Sequence, residues 1–252
     1  LSKKDVSPIS SKGESMEISV EFLTKTNSSK EYDGPLVSVI MTTYKSLELL
    51  EIAVNSILNQ THQNLELIIV DDKSPDNTFD LIMELSKKDS RIIPLRMKEN
   101  GGTYKAKNYG IQHAKGKYIA FHDSDDWCHQ DKVKLQVARL ESKPKLVGVT
   151  TSYIRVDENS NIVYRGVGAI RHACISLMYR RKLVEEKIGF FDSVRVSADS
   201  EFERRIFAVF GESAISHINL PMIIASVRQE SLSGGGKFAI NWTGLTGPRF
   251  EY

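Results

Sequence analysis

The chain has 252 residues, 34 basic against 32 acidic for a formal net charge of +2, with 40% hydrophobic and 26% charged residues. That length buries a substantial core, in one large domain or a domain with appendages, and the composition is that of an ordinary soluble globular protein. The near-balanced charge gives no electrostatic case for nucleic acid as a partner.

Residues 1–34, rich in Ser, Lys and Glu, read as a polar extension or linker. The folded pattern begins at Pro35. Val37 to Met41 is an apolar, β-branched run that predicts a buried strand. Ser46 to Gln60 follows with Leu47, Leu50, Val54, Ile57 and Leu58 at helical spacing. Leu65 to Val70 predicts a second strand ending in Asp71-Asp72, Asn77 to Lys88 a helix, and Ile92 to Met97 a third strand. Asn100-Gly101-Gly102 makes a turn, Lys105 to Ala114 a helix that Gly116 breaks, and Tyr118 to Phe121 a fourth strand. Strand–helix alternation with short connections predicts right-handed βαβ units and a mostly parallel sheet, an α/β fold. Beyond this point the pattern becomes irregular. Asp131 to Glu141 reads as a helix, Leu146 to Val156 and Ile162 to Tyr164 as a hairpin-like pair, and Ser197 to Phe210 as a helix. Two apolar segments follow, Ala214 to Leu220 and Met222 to Val227, and the ending at Tyr252 suggests a module of a longer protein. The first half is expected to bind a nucleotide and the second half something else.

The most informative stretch is Asp123-Ser124-Asp125-Asp126, directly after the fourth strand. Carboxylates at a rigid strand end suit Mg²⁺ or Mn²⁺ bound against a diphosphate, because these ions prefer hard oxygen ligands. In open α/β sheets ligands gather outside the carboxyl ends of strands, where this cluster falls. Thr42, Thr43 and Tyr44 follow the first strand and offer hydroxyls and a ring to a base or ribose, or else a helix cap. Asp71 and Asp72 offer a carboxylate to a base N–H or ribose, or else cap the turn Lys73-Ser74-Pro75-Asp76-Asn77.

Asn100 and Gly102 let backbone approach a ligand, but the loop lacks the Gly-Lys-Ser/Thr of a phosphate cradle. Lys105 and Lys107 offer charge to a diphosphate, with a solvated helix face the plainer reading for Lys107. Asp199 opens an amphipathic helix, where a capping role competes with that of general base. Cys128 and Cys174 lie far apart and read as reduced thiols of a cytosolic protein, and the six histidines show no zinc-type pairing. No apolar run approaches the roughly 18 residues of a membrane helix, and no signal segment precedes the fold. A cytoplasmic location is expected, with peripheral work at the inner face of a membrane left open.

The order of these features resembles the family 2 glycosyltransferases of the GT-A fold, from about Pro35 to Ser233. The matching residues are Pro35 to Ile40 with Thr42 and Tyr44, Ile69 to Ser74, Asn100-Gly101-Gly102, Ala106 to Gly110, Gly116, and Asp123 to Trp127. The resemblance implies a GT-A domain over 35–235, with a nucleotide-sugar half (35–127) and an acceptor half (128–235), followed by an extension at 236–252. It implies a nucleoside-diphosphate-sugar donor, most simply a UDP-sugar, with Thr42, Tyr44 and Asp72 on base and ribose. Asp123 and Asp125 match the family's Asp-X-Asp, Asp125 being the direct ligand of Mn²⁺ or Mg²⁺ on the diphosphate, with Ser124 between them. Asp199 matches the base that deprotonates a hydroxyl of a glycan or glycolipid acceptor, giving inversion at the anomeric carbon.

Three departures stand out: Ala198 precedes Asp199 where relatives often carry Glu, Lys107 stands where Arg is common, and Gln229 where many carry His. Arg228 and Ser231 of that later loop are expected near phosphate or acceptor. The expected function is thus metal-assisted, inverting sugar transfer in the building of a bacterial-type surface glycan such as a capsule. A catalytically silent sugar-nucleotide-binding or scaffolding domain, and a nucleotidyltransferase, are the alternatives. The second would carry a Gly-rich basic loop after strand one, which Thr42-Thr43-Tyr44-Lys45-Ser46 lacks.

Overall fold

The computed structural model describes residues 33–157, 159, 161–164 and 168–227, with the backbone of four two-residue strands outside them. The central sheet is built from β1 (Val37–Thr43), β2 (Leu65–Asp71), β3 (Ile92–Arg96), β4 (Tyr118–Asp123), β5 (Asp126–Cys128), β6 (Gly148–Val156), β7 (Arg171–Arg180) and β8 (Ile215–Ser226). Its helices are α1 (Leu47–Leu58), α2 (Thr78–Lys88), α3 (Thr103–His113), α4 (Lys132–Ser142), α5 (Arg181–Lys187) and α6 (Ala198–Phe210). Across the sheet the strands run β3-β2-β1-β4-β7-β6-β8-β5. The first four are parallel, as the βαβ alternation predicts, and β7 joins β4 antiparallel.

Both faces of the parallel half are covered, which is why β1 and β2 are buried at every position and read as apolar runs instead of alternating ones. Val37, Val39 and Met41 face one core with Leu50, Ala53, Val54 and Ile57 of α1 and Val133 and Val137 of α4. Ile40, Ile68 and Val70 face a second core with α3 and α6. Gly110 brings α3 close to the sheet, since a Cβ there would stand 2.7 Å from Ile40 Cγ2.

This arrangement creates a topological switch point. From β1 the chain moves outward through α1 to β2 and β3, then returns through α3, on the other face, to β4 on the opposite side of β1. The loops after β1 and β4 therefore diverge and leave a crevice at the carboxyl edge. The register makes it specific: Thr42 lies opposite Asp123, Thr43 opposite Asp71, and Asp71 opposite Arg96.

The second half departs from expectation in three places. β7, which joins the two halves of the sheet, is a strand the sequence pattern does not announce, and neither β5 nor α5 is anticipated. The two apolar segments from Ala214 are one strand, β8, whose register slips on both sides of Pro221. A bulge accommodates the missing N–H of a proline inside a ladder. The expected hairpin partner at Ile162 to Tyr164 shrinks to a single bridge between Ile162 and Val156.

Candidate functional site

The loops at the carboxyl edge are held by the carboxylates that end the strands. Asp71 is fully buried, pairs with Arg96 Nε at 3.0 Å and accepts from Ser74 N at 3.1 Å. Asp72 accepts from Gly101 N and from Gly102 N, each at 2.8 Å, one on each carboxylate oxygen. Its own carbonyl takes Asn100 Nδ2 at 3.1 Å. Asp72 therefore fixes the Asn100-Gly101-Gly102 loop, and Gly102, at φ 87, supplies the left-handed turn that starts α3. The hydroxyls of Thr42 and Thr103 meet at 2.8 Å, tying β1 to the first turn of α3.

Among the described residues three non-glycines have positive φ: Lys45 at 54, Lys73 at 60 and Ser197 at 67. Each directly follows or precedes a predicted site segment, after Tyr44, after Asp72 and before Ala198-Asp199. Such conformations cost about 1 kcal/mol or more apiece and concentrate where a loop's shape matters to a site.

Asp123 ends β4 with its side chain 40% exposed, facing Lys107 Nζ at 3.5 Å. Lys107 is buried, not on the solvated face expected for it, and its ammonium lies over the rings of Tyr104 and Phe121. Lys105 is exposed, packed along Gly101. Ser124 is buried and donates to Ser46 Oγ at 3.1 Å. Asp125 occupies the turn between β4 and β5, and Asp126 opens β5 with its carboxylate accepting from Ser226 N at 3.2 Å. Burial, then the charges of Asp125 and Asp123, hold the Asp126 carboxyl well above the usual carboxylate range, with Arg155 pulling the other way. Three carboxyls thus crowd one turn. This all-oxygen donor set fits a hard divalent cation at Asp123 and Asp125.

Asp199 enters the same cleft from the start of α6. Phe202, one turn on, stacks on Phe191 with ring centroids 4.4 Å apart, and Phe191 packs on Phe121 and Tyr104. That aromatic cluster locks α6 to β4 and α3. Asp199 Oδ1 accepts from Tyr104 OH at 3.0 Å and from Ser200 N at 2.9 Å. Tyr104 thus links the base candidate to the helix carrying Lys107, and sequence reasoning missed it. Its signal was an aromatic residue directly after Asn100-Gly101-Gly102-Thr103. Burial and the Asp199 charge raise its phenol far above the ordinary range, so it donates.

The cleft, about 420 Å³, is lined by Asp123, Asp126 and Asp199 together with Tyr153, Arg155, His172, Cys174 and Arg204, among others. Asp71, Asp72 and Asn100 lie along the loops beside it. Tyr44 is exposed after β1. Arg228, Gln229 and Ser231 lie outside the described residues. His122, entirely buried with Nε2 3.1 Å from Asp126 O, is pulled down to about 3 by burial and serves the turn as a neutral ring.

Among the described residues no helix is long and apolar enough to cross a membrane. Over 122 residues the chain is 38% identical to WfaP of Escherichia coli, named as UDP-Glc:alpha-D-GlcNAc-diphosphoundecaprenol beta-1,3-glucosyltransferase, covering 48% of each chain. It spans less than half the length of eight such curated relatives, from 17% to 48%. The structure is similar to that of S. aureus TarS solved with UDP-GlcNAc, with a TM-score of 0.64 at 20% identity, covering 77% of this chain and 59% of that one. It is also similar to the mannosyltransferase PcManGT of Pyrobaculum calidifontis, solved with GDP-Man and Mn²⁺. There the TM-score is 0.61 at 18% identity, covering 82% of this chain and 62% of the other. At these identities the structural likeness speaks to the fold, which is GT-A. The sequence pattern described as Glycosyl transferase family 2 matches residues 38–198, more than half of the chain, and the chain belongs to that family.

Proposed function

We propose that this chain is the catalytic domain of an inverting glycosyltransferase that moves a sugar from a UDP-sugar to a hydroxyl of a glycan or lipid-linked glycan, in surface polysaccharide assembly. The observation that carries the reading is that Asp123, at the switch point, and Asp199, at the head of α6, line one cleft. The donor diphosphate is placed at Asp123 and Asp125, which would hold Mn²⁺ or Mg²⁺. When bound, the ion neutralises charge on the departing diphosphate.

The end of β1 and the loops after β1 and β2 take base and ribose through Thr42, Tyr44 and Asp72, while Asn100, Gly102 and Lys105 border the same edge. Lys107, buried and 3.5 Å from Asp123 Oδ1, would supply a positive charge beside the leaving group. Asp199, oriented by Tyr104 and Ser200 N, accepts the acceptor's hydroxyl proton as the new bond forms on the opposite face of the sugar. WfaP, whose name gives UDP-Glc and a diphosphoundecaprenol-linked acceptor, supports the choice of donor and acceptor class. With an acceptor of that class the protein would work at the inner face of a membrane.

The test is calorimetric binding of UDP-, GDP-, CMP- and dTDP-sugars with Mn²⁺ and with EDTA. Metal-dependent binding of one UDP-sugar is expected. Binding of none of them by folded protein would turn the assignment to the scaffolding alternative.

A further inference from the structure

A second cluster of ligand-type side chains lies beside the candidate base, and its chemistry differs from that of the carboxylate turn. His172 and Cys174 stand two residues apart on β7 and project from one face of the strand. Glu203 rises from α6 to meet them. One imidazole nitrogen, the thiol sulfur and one carboxylate oxygen all lie within 4.8 Å of one another. His172 Nε2 and Glu203 Oε2 are 3.0 Å apart. We propose that His172, Cys174 and Glu203 form a binding site for Zn²⁺ or a similar borderline-soft divalent cation, distinct from the Asp123–Asp125 site.

The donor set is the first reason. Imidazole, thiolate and carboxylate are what Zn²⁺ takes, whereas Mg²⁺ and Mn²⁺ prefer oxygen alone. The second reason is the support behind the ring. His172 Nδ1 lies 3.3 Å from His217 Nδ1, and His217 Nε2 lies 3.0 Å from Ser152 Oγ, with Thr150 Oγ1 at 3.0 Å from His217 Nδ1. A proton on His172 Nδ1 shared with His217 leaves Nε2 free to ligate, the outer arrangement that metal-bound histidines use. The third is electrostatic: Glu203, buried on α6, and Asp199, which lines the same cleft as Cys174, put two carboxylates beside the thiol, and a cation balances their charge. Binding replaces the thiol proton with the metal and releases it to solvent.

Three protein ligands leave a fourth position open toward the cleft, which His172 and Cys174 help to line. Cys174 Sγ is 3.6 Å from Ser200 Oγ, the residue after Asp199. A divalent charge held there stands next to the base candidate, so Zn²⁺ inhibits transfer. That consequence rests on the proposed function; the binding itself does not.

The experiment is titration of the metal-free protein with Co²⁺, read by absorption. We expect one equivalent to give a near-ultraviolet thiolate-to-cobalt band with the visible bands of a tetrahedral site, and Zn²⁺ to abolish both. Cys174→Ser removes the thiolate band, His217→Asn weakens binding on the order of tenfold or more, and Asp125→Asn leaves the band intact. Circular dichroism confirms that each variant is folded. Absence of the band in the wild-type protein, or its persistence in Cys174→Ser, where Cys128 is the remaining thiol, overturns the proposal. So does its loss in Asp125→Asn. Should Cys174→Ser fail to fold, the wild-type band and the His217→Asn shift decide.

Discussion

Replacing Asp72 by Asn separates the loop-holding role of this carboxylate from any contact with a donor. Asp72 is buried, and its two oxygens each take one backbone N–H, from Gly101 and Gly102, at 2.8 Å. An amide of the same shape keeps one oxygen and turns an NH₂ group against the other N–H. One charge-assisted bond, worth about 1.5–3 kcal/mol, is lost, and the survivor falls to a neutral bond of about 1 kcal/mol. The loop is only half-buried, so water partly restores the orphaned N–H, and the net cost is about 2–4 kcal/mol. At a urea slope of about 3 kcal/mol/M this lowers the unfolding midpoint by about 1 M. Equilibrium urea unfolding followed by circular dichroism measures it, and hydrogen exchange at the Gly101 and Gly102 amides localises it. A midpoint within about 0.2 M of wild type, with unchanged exchange at both amides, would refute the reasoning.

Gly116→Ala should destabilise by about 3 kcal/mol, because a Cβ there would stand 2.5 Å from Ser38 N and 2.8 Å from Tyr118 O. Thermal unfolding checks it, and a loss under about 0.5 kcal/mol would mean that the backbones separate freely. His122 gives a pH prediction. Its folded pKa, about 3, lies below the unfolded value of about 6.5, so its contribution is complete above that value and is lost as pH falls towards 3. Each such histidine adds up to about 1.4 kcal/mol per pH unit to the slope of stability in this window. His122→Asn should flatten the curve there, and an unchanged slope would place the titration elsewhere. Asp125→Asn should abolish the Mn²⁺-dependent part of donor affinity by calorimetry while leaving the EDTA value unchanged; equal Mn²⁺ dependence in the variant would remove Asp125 as a ligand.

The parallel half of the fold was legible because burial on both faces makes its strands contiguous apolar runs, as in Val37 to Met41 and Leu65 to Val70. The short crossovers then fixed the switch point, and with it the position of Asp123. β7 was not legible. It opens with exposed Arg171 and His172, and its apolar residues from Ala173 to Tyr179 run on without alternation, broken by Ser176, so no period stands out. β5 is three residues long, too short for any pattern, and Pro221 read as a break where a bulge carries the strand through. Lys107 looked like one more helix lysine, and its burial follows from Tyr104, Phe121 and Asp123 gathering round it in space. The bond between Tyr104 and Asp199, like the gathering of His172 and Cys174 with Glu203, joins residues from distant parts of the chain. Such contacts exist only once α6 docks on the aromatic cluster, and no local spacing announces them.

Asp199 as the base is the central element of the proposed mechanism. Asn at this position keeps an oxygen for Tyr104 and Ser200 N, so the cleft retains its shape while proton acceptance is lost. The decisive measurement is steady-state transfer by wild type and Asp199→Asn with the UDP-sugar that binds, alongside the donor Kd of each. A fall in kcat of about 10²–10⁴-fold with the donor Kd unchanged is expected. Transfer by Asp199→Asn within a few-fold of wild type would contradict it.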